Sequence, residues 1–93
     1  MSTIGGAVEK KLDEATVESL RKSVTAVKRD ITKETAAALV DFEILKAASQ
    51  VVSGEKQIIL LSSQGKQYRV EILVVPWEGP SFKLLSAKES DSL

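Results

Sequence analysis

The hydrophobic pattern of this chain changes its period part-way along, and that change limits the possible folds more than any other feature. Residues 1 to about 12 have no clear period, but between Val17 and Ile31 apolar residues recur three and four positions apart, which is the spacing of one face of an amphipathic helix. Beyond residue 33, apolar and polar residues alternate, which is typical of β-strands. A helix followed by strands predicts an α+β domain in which the helix packs on one face of a sheet.

The predicted helix has a single apolar stripe, with charged residues away from it. Asp13 or Thr16 is a suitable N-cap, because either side chain can accept a hydrogen bond from the first turn. The stripe spacing is also similar to that of a coiled coil, but two heptads are too few to sustain one. We therefore expect one long helix that lies on a sheet. The stripe consists of Val17, Leu20, Val24, Val27 and Ile31.

Four runs with strand character follow the helix, and a shorter strand before the helix is expected to begin at Val8. Short connections join the four runs, so neighbouring strands are expected to be antiparallel and to form a meander. The sequence therefore predicts one long helix packed on a four- to five-stranded antiparallel sheet. The four runs cover residues 40–45, 57–61, 68–75 and 82–85.

Length and composition narrow the classes of function. The 93 residues suffice for a single domain, 1–93, with residues 1–7 as a flexible amino-terminal arm. The chain contains no Cys and no His, so it lacks disulfides, thiolate nucleophiles and the commonest general base and metal ligand. We therefore expect neither an enzyme nor a metal or cofactor site. The formal net charge of zero gives no support for a nucleic-acid or membrane partner.

The turns of the predicted meander differ in polarity. Successive turns lie at alternate ends of the sheet, and the turn at residues 62–66 is wholly polar, as expected of a turn that faces water. The turns at residues 50–54 and 76–80 share the opposite end and carry valines and the only tryptophan. Apolar side chains at such tips indicate a binding surface, and tryptophan is frequent among interface anchors.

A glycine pair near the amino terminus can reach the same end if the arm runs as a strand into the helix. Three segments then form one narrow edge, which we call the apolar edge. Such an edge suits insertion into a cleft and does not suit enclosure of a small molecule. The apolar edge consists of the arm at Gly5 and Gly6, the first hairpin tip at Gln50, Val51, Val52, Ser53 and Gly54, and the second hairpin tip at Pro76 and Trp77.

The three segments resemble the motifs of the cystatin superfamily. Members of that superfamily carry an amino-terminal glycine, a Gln-x-Val-x-Gly first loop and a Pro-Trp second loop, and this chain has all three in that order. The resemblance covers nearly the whole chain, including the helix ahead of the strands. It implies the cystatin-like fold.

Within the superfamily, the chain resembles the stefins, the type 1 intracellular cystatins, in its length and its lack of cysteine and of a signal peptide. A cytoplasmic location is therefore expected. The Pro-Trp second loop is more like other cystatins, because stefins commonly carry Leu-Pro there. A divergent stefin and an engineered stefin-like scaffold are both open at this point.

The resemblance implies reversible, competitive inhibition of papain-like cysteine proteases of the cathepsin type. The arm would occupy the non-primed subsites, the first hairpin tip would straddle the cleft near the catalytic cysteine, and the second hairpin tip would pack on the primed side. Gln50 has an alternative role, in which it braces its own loop through hydrogen bonds. The alternative for the whole chain is a binding scaffold that keeps the fold without inhibiting. A monomer is expected, and straightening of the first hairpin would allow a domain-swapped dimer.

Overall fold

The fold combines two helices with one antiparallel sheet. The computed structural model describes residues 7–36, 39, 41–52, 54–75, 77 and 81–93. Within them the strands pair in chain order, each antiparallel to the next, so the predicted α+β class and meander are confirmed. The elements are β1 (Val8–Glu9), α1 (Glu14–Ala26), α2 (Lys28–Thr35), β2 (Glu43–Val52), β3 (Gly54–Ser63), β4 (Lys66–Val75) and β5 (Ser81–Glu89).

The prediction of one long helix was wrong, because the backbone leaves helical geometry at Val27. This residue has φ −111° and ψ 19°, and its N–H donates to the carbonyl of Val24, three residues back, at 3.2 Å. Helical bonding resumes when the N–H of Ile31 donates to the carbonyl of Val27 at 3.0 Å. The apolar stripe nevertheless continues across the break, since Leu20, Val24, Val27 and Ile31 are all buried. The hydrophobic spacing therefore identified the buried face, although it could not detect a change in one residue's dihedral angles.

Helix α1 begins with one of the two predicted caps. Asp13 has an extended backbone, and its carboxylate accepts the backbone N–H of Thr16 at 2.8 Å. That hydrogen bond lowers the pKa of Asp13 below its ordinary value of 3.8, because it stabilises the charged form. Asp13 is therefore the cap, and Thr16 is the residue that it caps.

The core lies between the helices and one face of the sheet. The stripe packs against side chains that alternate along β3 and β4. On β3, Ile58 and Leu60 of the other face are buried as well. A bulge between Ile44 and Lys46 inserts Leu45 into β2, so that Ile44 and Ala47, three residues apart, both join this core. The sheet contributes Ile44, Ala47, Ile59, Leu61, Tyr68, Val70 and Ile72 to the core.

Strand β2 differs most from its predicted run. It begins at Glu43 and continues to Val52, well beyond the run at residues 40–45, while Val40 lies outside the described residues. The pairing of β2 with β3 continues to Val52 opposite Gly54. The first hairpin tip thus lies at the end of a long ladder, with β4 paired to β3 as far as Glu55 opposite Val74.

Candidate functional site

The first and second hairpins lie at the same end of the sheet. Val51 pairs with Glu55, Glu55 pairs with Val74, and Val74 pairs with Phe82 on β5. This row of paired residues runs across four strands, directly beside the first hairpin tip and the β4–β5 connection. The meander therefore brings together two segments that are more than 20 residues apart in the sequence, as predicted.

The first hairpin tip presents an exposed branched side chain on an ordered ladder. Val51 is 87% exposed although it lies within β2. Gln50 pairs with Lys56 and is half-buried. The backbone of Val52 belongs to β2, whereas Ser53 lies outside the described residues. Three of the five predicted residues of this tip, Gln50, Val51 and Gly54, are therefore described with their surroundings.

Gly54 occupies a position that only glycine fits. Its φ is +117°, a conformation that side-chain-bearing residues rarely adopt. A Cβ at this position would lie 2.6 Å from the carbonyl oxygen of Val74 on β4. Gly54 thus allows the hairpin to turn and also allows β3 to approach the end of β4, from which the second hairpin tip continues.

The second hairpin tip carries the only tryptophan of the chain. Trp77 is 64% exposed, which is unusual for the largest and one of the most apolar side chains. Pro76 and residues 78–80 lie outside the described residues, so the prediction for Pro76 has no structural counterpart.

The amino-terminal segment joins the sheet beside the first hairpin. Val8 opposes Ser49 and Glu9 opposes Ala48, so the chain runs along β2 from the side of the first hairpin tip towards the start of β2. The backbone N–H of Lys10 extends this ladder by donating to the carbonyl of Ala47 at 2.7 Å. Gly5 and Gly6 lie outside the described residues. The direction of β1 agrees with an arm that begins at the apolar edge.

Exposed apolar side chains are concentrated in these segments. Among the described residues, four large hydrophobic side chains are exposed: Val8 (55%), Val51 (87%), Trp77 (64%) and Leu85 (44%). Val51 and Trp77 belong to the two hairpin tips, and Val8 lies on the strand through which the arm joins the sheet. Leu85 is the exception, and it lies at a bulge of β5 where the pairing with β4 shifts between Glu71 and Ile72.

The turn between β3 and β4, at the opposite end of the sheet, is polar. Ser63 pairs with Lys66 across a two-residue loop formed by Gln64 and Gly65. Both loop residues have positive φ, +53° and +80°, which is the geometry of a tight type I′ hairpin turn. The prediction of a polar turn at residues 62–66 is confirmed.

A polar contact that sequence reasoning missed lies beside the apolar edge. Lys10 Nζ is 3.2 Å from Glu55 Oε2, and Gln57 Nε2 donates to Glu55 Oε1 at 3.4 Å. Gln57 is buried. Lys10 and Glu55 are 45 residues apart, so no local pattern indicates the pair; it follows only from the register of β1, β2 and β3.

Comparisons with known proteins assign this chain to no family. No protein-family model matches this chain, and neither does any curated protein. In the described part of the chain, no three acidic residues converge into a group that could hold a metal ion. The helices of that part are too short or too polar to cross a membrane.

Proposed function

We propose that this protein is a reversible, competitive inhibitor of papain-like cysteine proteases, with a cystatin-like fold. The apolar edge inserts into the active-site cleft of the protease and blocks it. One observation carries the proposal: of the four exposed large hydrophobic residues in the described part of the chain, Val51 and Trp77 lie on the two hairpin tips that the motifs had marked, and Val8 lies on β1, beside the first hairpin. Exposed apolar surface is costly in water, so its placement on one edge favours a binding role.

The fold supports this proposal in two respects. Helices pack on one face of a five-stranded meander, which agrees with the architecture that the resemblance implies. The hairpins that carry the first and second motifs lie side by side at one end, as a two-loop wedge requires. The stefin-like assignment and a cytoplasmic location belong to the same proposal and rest on the resemblance alone.

The side chains of the edge are suited to tight contact. Val51 is β-branched and therefore loses little rotamer freedom when it docks. A tryptophan side chain presents about 150–250 Å², of which Trp77 exposes 64%, so roughly 100–160 Å² remains to be buried. At about 25 cal/mol per Å², this corresponds to roughly 2.5–4 kcal/mol before the costs of association.

The mechanism is occlusion rather than chemistry. A protease cleft is a groove that accepts an extended segment, and Val51 is presented to it from a strand that is paired with β3 up to Val52. Glycines in the arm permit close approach of its backbone to the protease. The inhibitor needs no catalytic residue of its own, because the reaction that it prevents belongs to the protease.

The direct test is a titration of active papain with the purified monomer, read by residual hydrolysis of a peptide substrate. Stoichiometric or nanomolar inhibition is expected. Leu85→Ala is the matched control, because it removes an exposed apolar side chain that lies away from the edge, and it should inhibit as well as the unaltered protein.

A second experiment separates occlusion from modification. Papain whose catalytic cysteine is blocked by a small group should still bind the protein, although more weakly, because the edge contacts the walls of the cleft. Absence of inhibition at micromolar monomer would overturn the proposal. The chain would then be assigned to the alternative, a binding scaffold that keeps this fold for another partner.

A further inference from the structure

Strand β5 has a free backbone edge. The strand order places β5 last in the sheet, so within the described residues its outer side pairs with no other strand. The opposite edge of the sheet is partly covered, because β1 pairs with β2 at Ser49 and Ala48. A strand of nine residues, Ser81–Glu89, therefore offers unpaired N–H and C=O groups to which a further strand can bond.

A groove lies between α2 and β5. It has a volume of about 360 Å³, and its apolar lining comes from Phe82 and Leu84, which are both half-buried. These two residues pair with Val74 and Ile72, so they lie on the face of the sheet that the helices cover. The rest of the lining carries charges of both signs, so the groove favours an apolar side chain and has no preference for one charge. It is lined by Asp30, Lys33, Glu34, Phe82, Lys83 and Leu84.

The other face of β5 carries two lysines without a partner. Lys83 pairs with Leu73 and Lys88 pairs with Arg69, and residues directly opposite each other share one face of a sheet. The extra residue at the bulge, Leu85, brings the two lysines to the same face although they are five positions apart. Both are exposed, and neither forms an ion pair within the described residues.

The carboxylates of β4 and β5 do not neutralise these lysines. Glu71 of β4 is shared by Arg69 and by Lys56, whose Nζ lies 3.0 Å from Glu71 Oε1. Glu89 of β5 pairs with Tyr68, a core residue, so it lies on the opposite face from the lysines. Strand β5 therefore has uncompensated positive charge on one face and an apolar groove on the other, with a free backbone edge between them.

We propose that β5 and its groove form a docking site for an extended acidic segment of a partner protein, which adds to the five-stranded sheet as a further strand. Side chains of an added strand alternate between the two faces of the sheet. One set enters the groove beside Phe82 and Leu84, and the other set lies beside Lys83 and Lys88. The partner segment therefore alternates apolar residues with Asp or Glu. This inference goes beyond inhibition of proteases and does not rest on it.

The same lysines argue against a second copy of this chain as the occupant. Antiparallel pairing of two β5 strands would bring the lysines of both copies onto one face of the joined sheet, where like charges repel. Lysine on a free edge is a common device against such self-association. An acidic strand meets the same charges as attraction, so the edge discriminates between the two occupants.

The test uses a fluorescein-labelled peptide, Glu-Val-Glu-Ile-Glu-Val-Glu, titrated with the full chain and read by fluorescence anisotropy. Saturable binding is expected, and a peptide with lysine in place of each glutamate should bind about tenfold more weakly. Lys83→Glu with Lys88→Glu should reverse this preference. Lys22→Glu with Lys46→Glu changes the net charge equally at exposed positions away from β5, so this matched control should keep the original preference.

Reversal of preference separates a docking role from general stability. A variant that has merely lost stability binds both peptides less well, whereas Lys83→Glu with Lys88→Glu should gain affinity for the lysine peptide. Absence of saturable binding by the unaltered protein would overturn the proposal. Equal responses of the two double variants would also overturn it, because attraction would then depend on net charge alone.

N-methylation of the peptide tests the backbone pairing. In a paired strand, the N–H groups of alternate residues donate to one neighbour and the others point away. One peptide is methylated on the amides of Val and Ile and another on the amides of the internal Glu residues, which leaves the charge unchanged. One of the two should lose binding while the other binds as the unmodified peptide does, and equal effects would overturn strand addition.

Sedimentation of the unaltered protein at the same concentrations tests the competing occupant. A monomer is expected. A dimer that Lys83→Glu with Lys88→Glu alters, and that Lys22→Glu with Lys46→Glu does not, would assign β5 to a second copy and overturn the proposal. None of these measurements uses papain, so failure of the proposed inhibitory function would leave their outcome unaffected.

Discussion

The two ends of the sheet are built from the same strands but carry opposite surfaces. At the polar end, Gln64 and Gly65 close the hairpin between β3 and β4 in a two-residue turn. At the other end, Val51 and Trp77 expose most of their apolar surface on the hairpin tips. Both ends reverse the chain, so the requirements of the fold cannot explain the difference between them.

A turn and a binding surface require different types of residue. A tight hairpin turn needs residues that tolerate positive φ and remain hydrated, and the turn at Gln64 and Gly65 has only these. The apolar edge keeps a positive-φ glycine for the same purpose and adds apolar side chains that do not stabilise the hairpin. Changes at the apolar side chains should therefore alter binding, whereas changes at the glycines should alter folding.

The two hairpin glycines give the largest expected effect. Gly54→Ala would force a residue with φ +117° and place its Cβ 2.6 Å from the Val74 carbonyl, whereas Gly65→Ala meets no atom within 4 Å. Backbone strain and overpacking together should cost Gly54→Ala about 2–5 kcal/mol of unfolding free energy. Gly65→Ala should lose about 1–2 kcal/mol, from strain alone. Urea denaturation of the two variants measures the difference, and equal losses would show that a Cβ at residue 54 does not clash with the Val74 carbonyl.

Trp77 gives the next largest effect, on binding rather than folding. Trp77→Ala should weaken inhibition of papain by about 2 kcal/mol or more, roughly 30-fold, as expected of an interface hot spot. Its unfolding free energy should change by less than about 0.5 kcal/mol, because the side chain is 64% exposed. Inhibition constants and denaturation midpoints of Trp77→Ala and Leu85→Ala test both statements. If both substitutions weaken inhibition equally, the apolar edge has no special role.

Sequence patterns alone predicted part of this fold. Alternation of apolar residues predicted the strands, and the polarity of the connections predicted which end is a plain turn. Neither pattern could predict the bulge at Leu45, because a bulge depends on the pairing with β3 and not on the composition of β2. The helical spacing did not predict the break at Val27 for a related reason: the residue is apolar and buried whether or not the helix is continuous.

Some residues of the candidate site could likewise be predicted from the sequence, and others could not. Val51, Gly54 and Trp77 could be chosen from the sequence because their types are unexpected or distinctive at hairpin tips. Lys10 and Glu55 could not, because charged residues are common on sheet surfaces and only the register brings this pair together. The proposed binding residues thus leave a compositional trace, whereas the Lys10–Glu55 contact is visible only in the structure.

Val51 tests whether the first hairpin tip contributes binding beyond that of Trp77. Val51→Ser keeps the strand but removes a branched apolar side chain that is 87% exposed. Inhibition should weaken by about 1 kcal/mol, roughly fivefold, since only part of a valine's transfer free energy is recovered at an interface. Lys66→Ser, at the polar end, is the control and should leave the inhibition constant unchanged. An effect of Lys66→Ser as large as that of Val51→Ser would remove the distinction between the two ends.

Asp13 gives the smallest effect, which is on stability and not on binding. Asp13→Ala removes the cap of α1, so it should lower the melting temperature slightly while inhibition stays the same. The hydrogen bond from Thr16 makes the folded-state pKa of Asp13 lower than the unfolded one. The cap therefore stabilises fully above the ordinary pKa of 3.8, and its contribution is lost as the pH falls through the folded-state pKa.

Melting temperatures of the unaltered protein, Asp13→Ala and Asp13→Ser between pH 7 and pH 2.5 measure this contribution. The unaltered protein and Asp13→Ala should differ at neutral pH, and the difference should shrink as the pH falls below 3.8 and through the lower folded-state pKa, where the carboxylate becomes protonated. Asp13→Ser keeps a capping oxygen that does not titrate, so its advantage over Asp13→Ala should persist in acid. A difference between the unaltered protein and Asp13→Ala that did not shrink in acid would mean that the charge of Asp13 contributes nothing. Inhibition by Asp13→Ala should be unchanged at neutral pH, because the cap stabilises the fold and lies outside the apolar edge. Loss of inhibition would show that binding at the apolar edge depends on the helix cap.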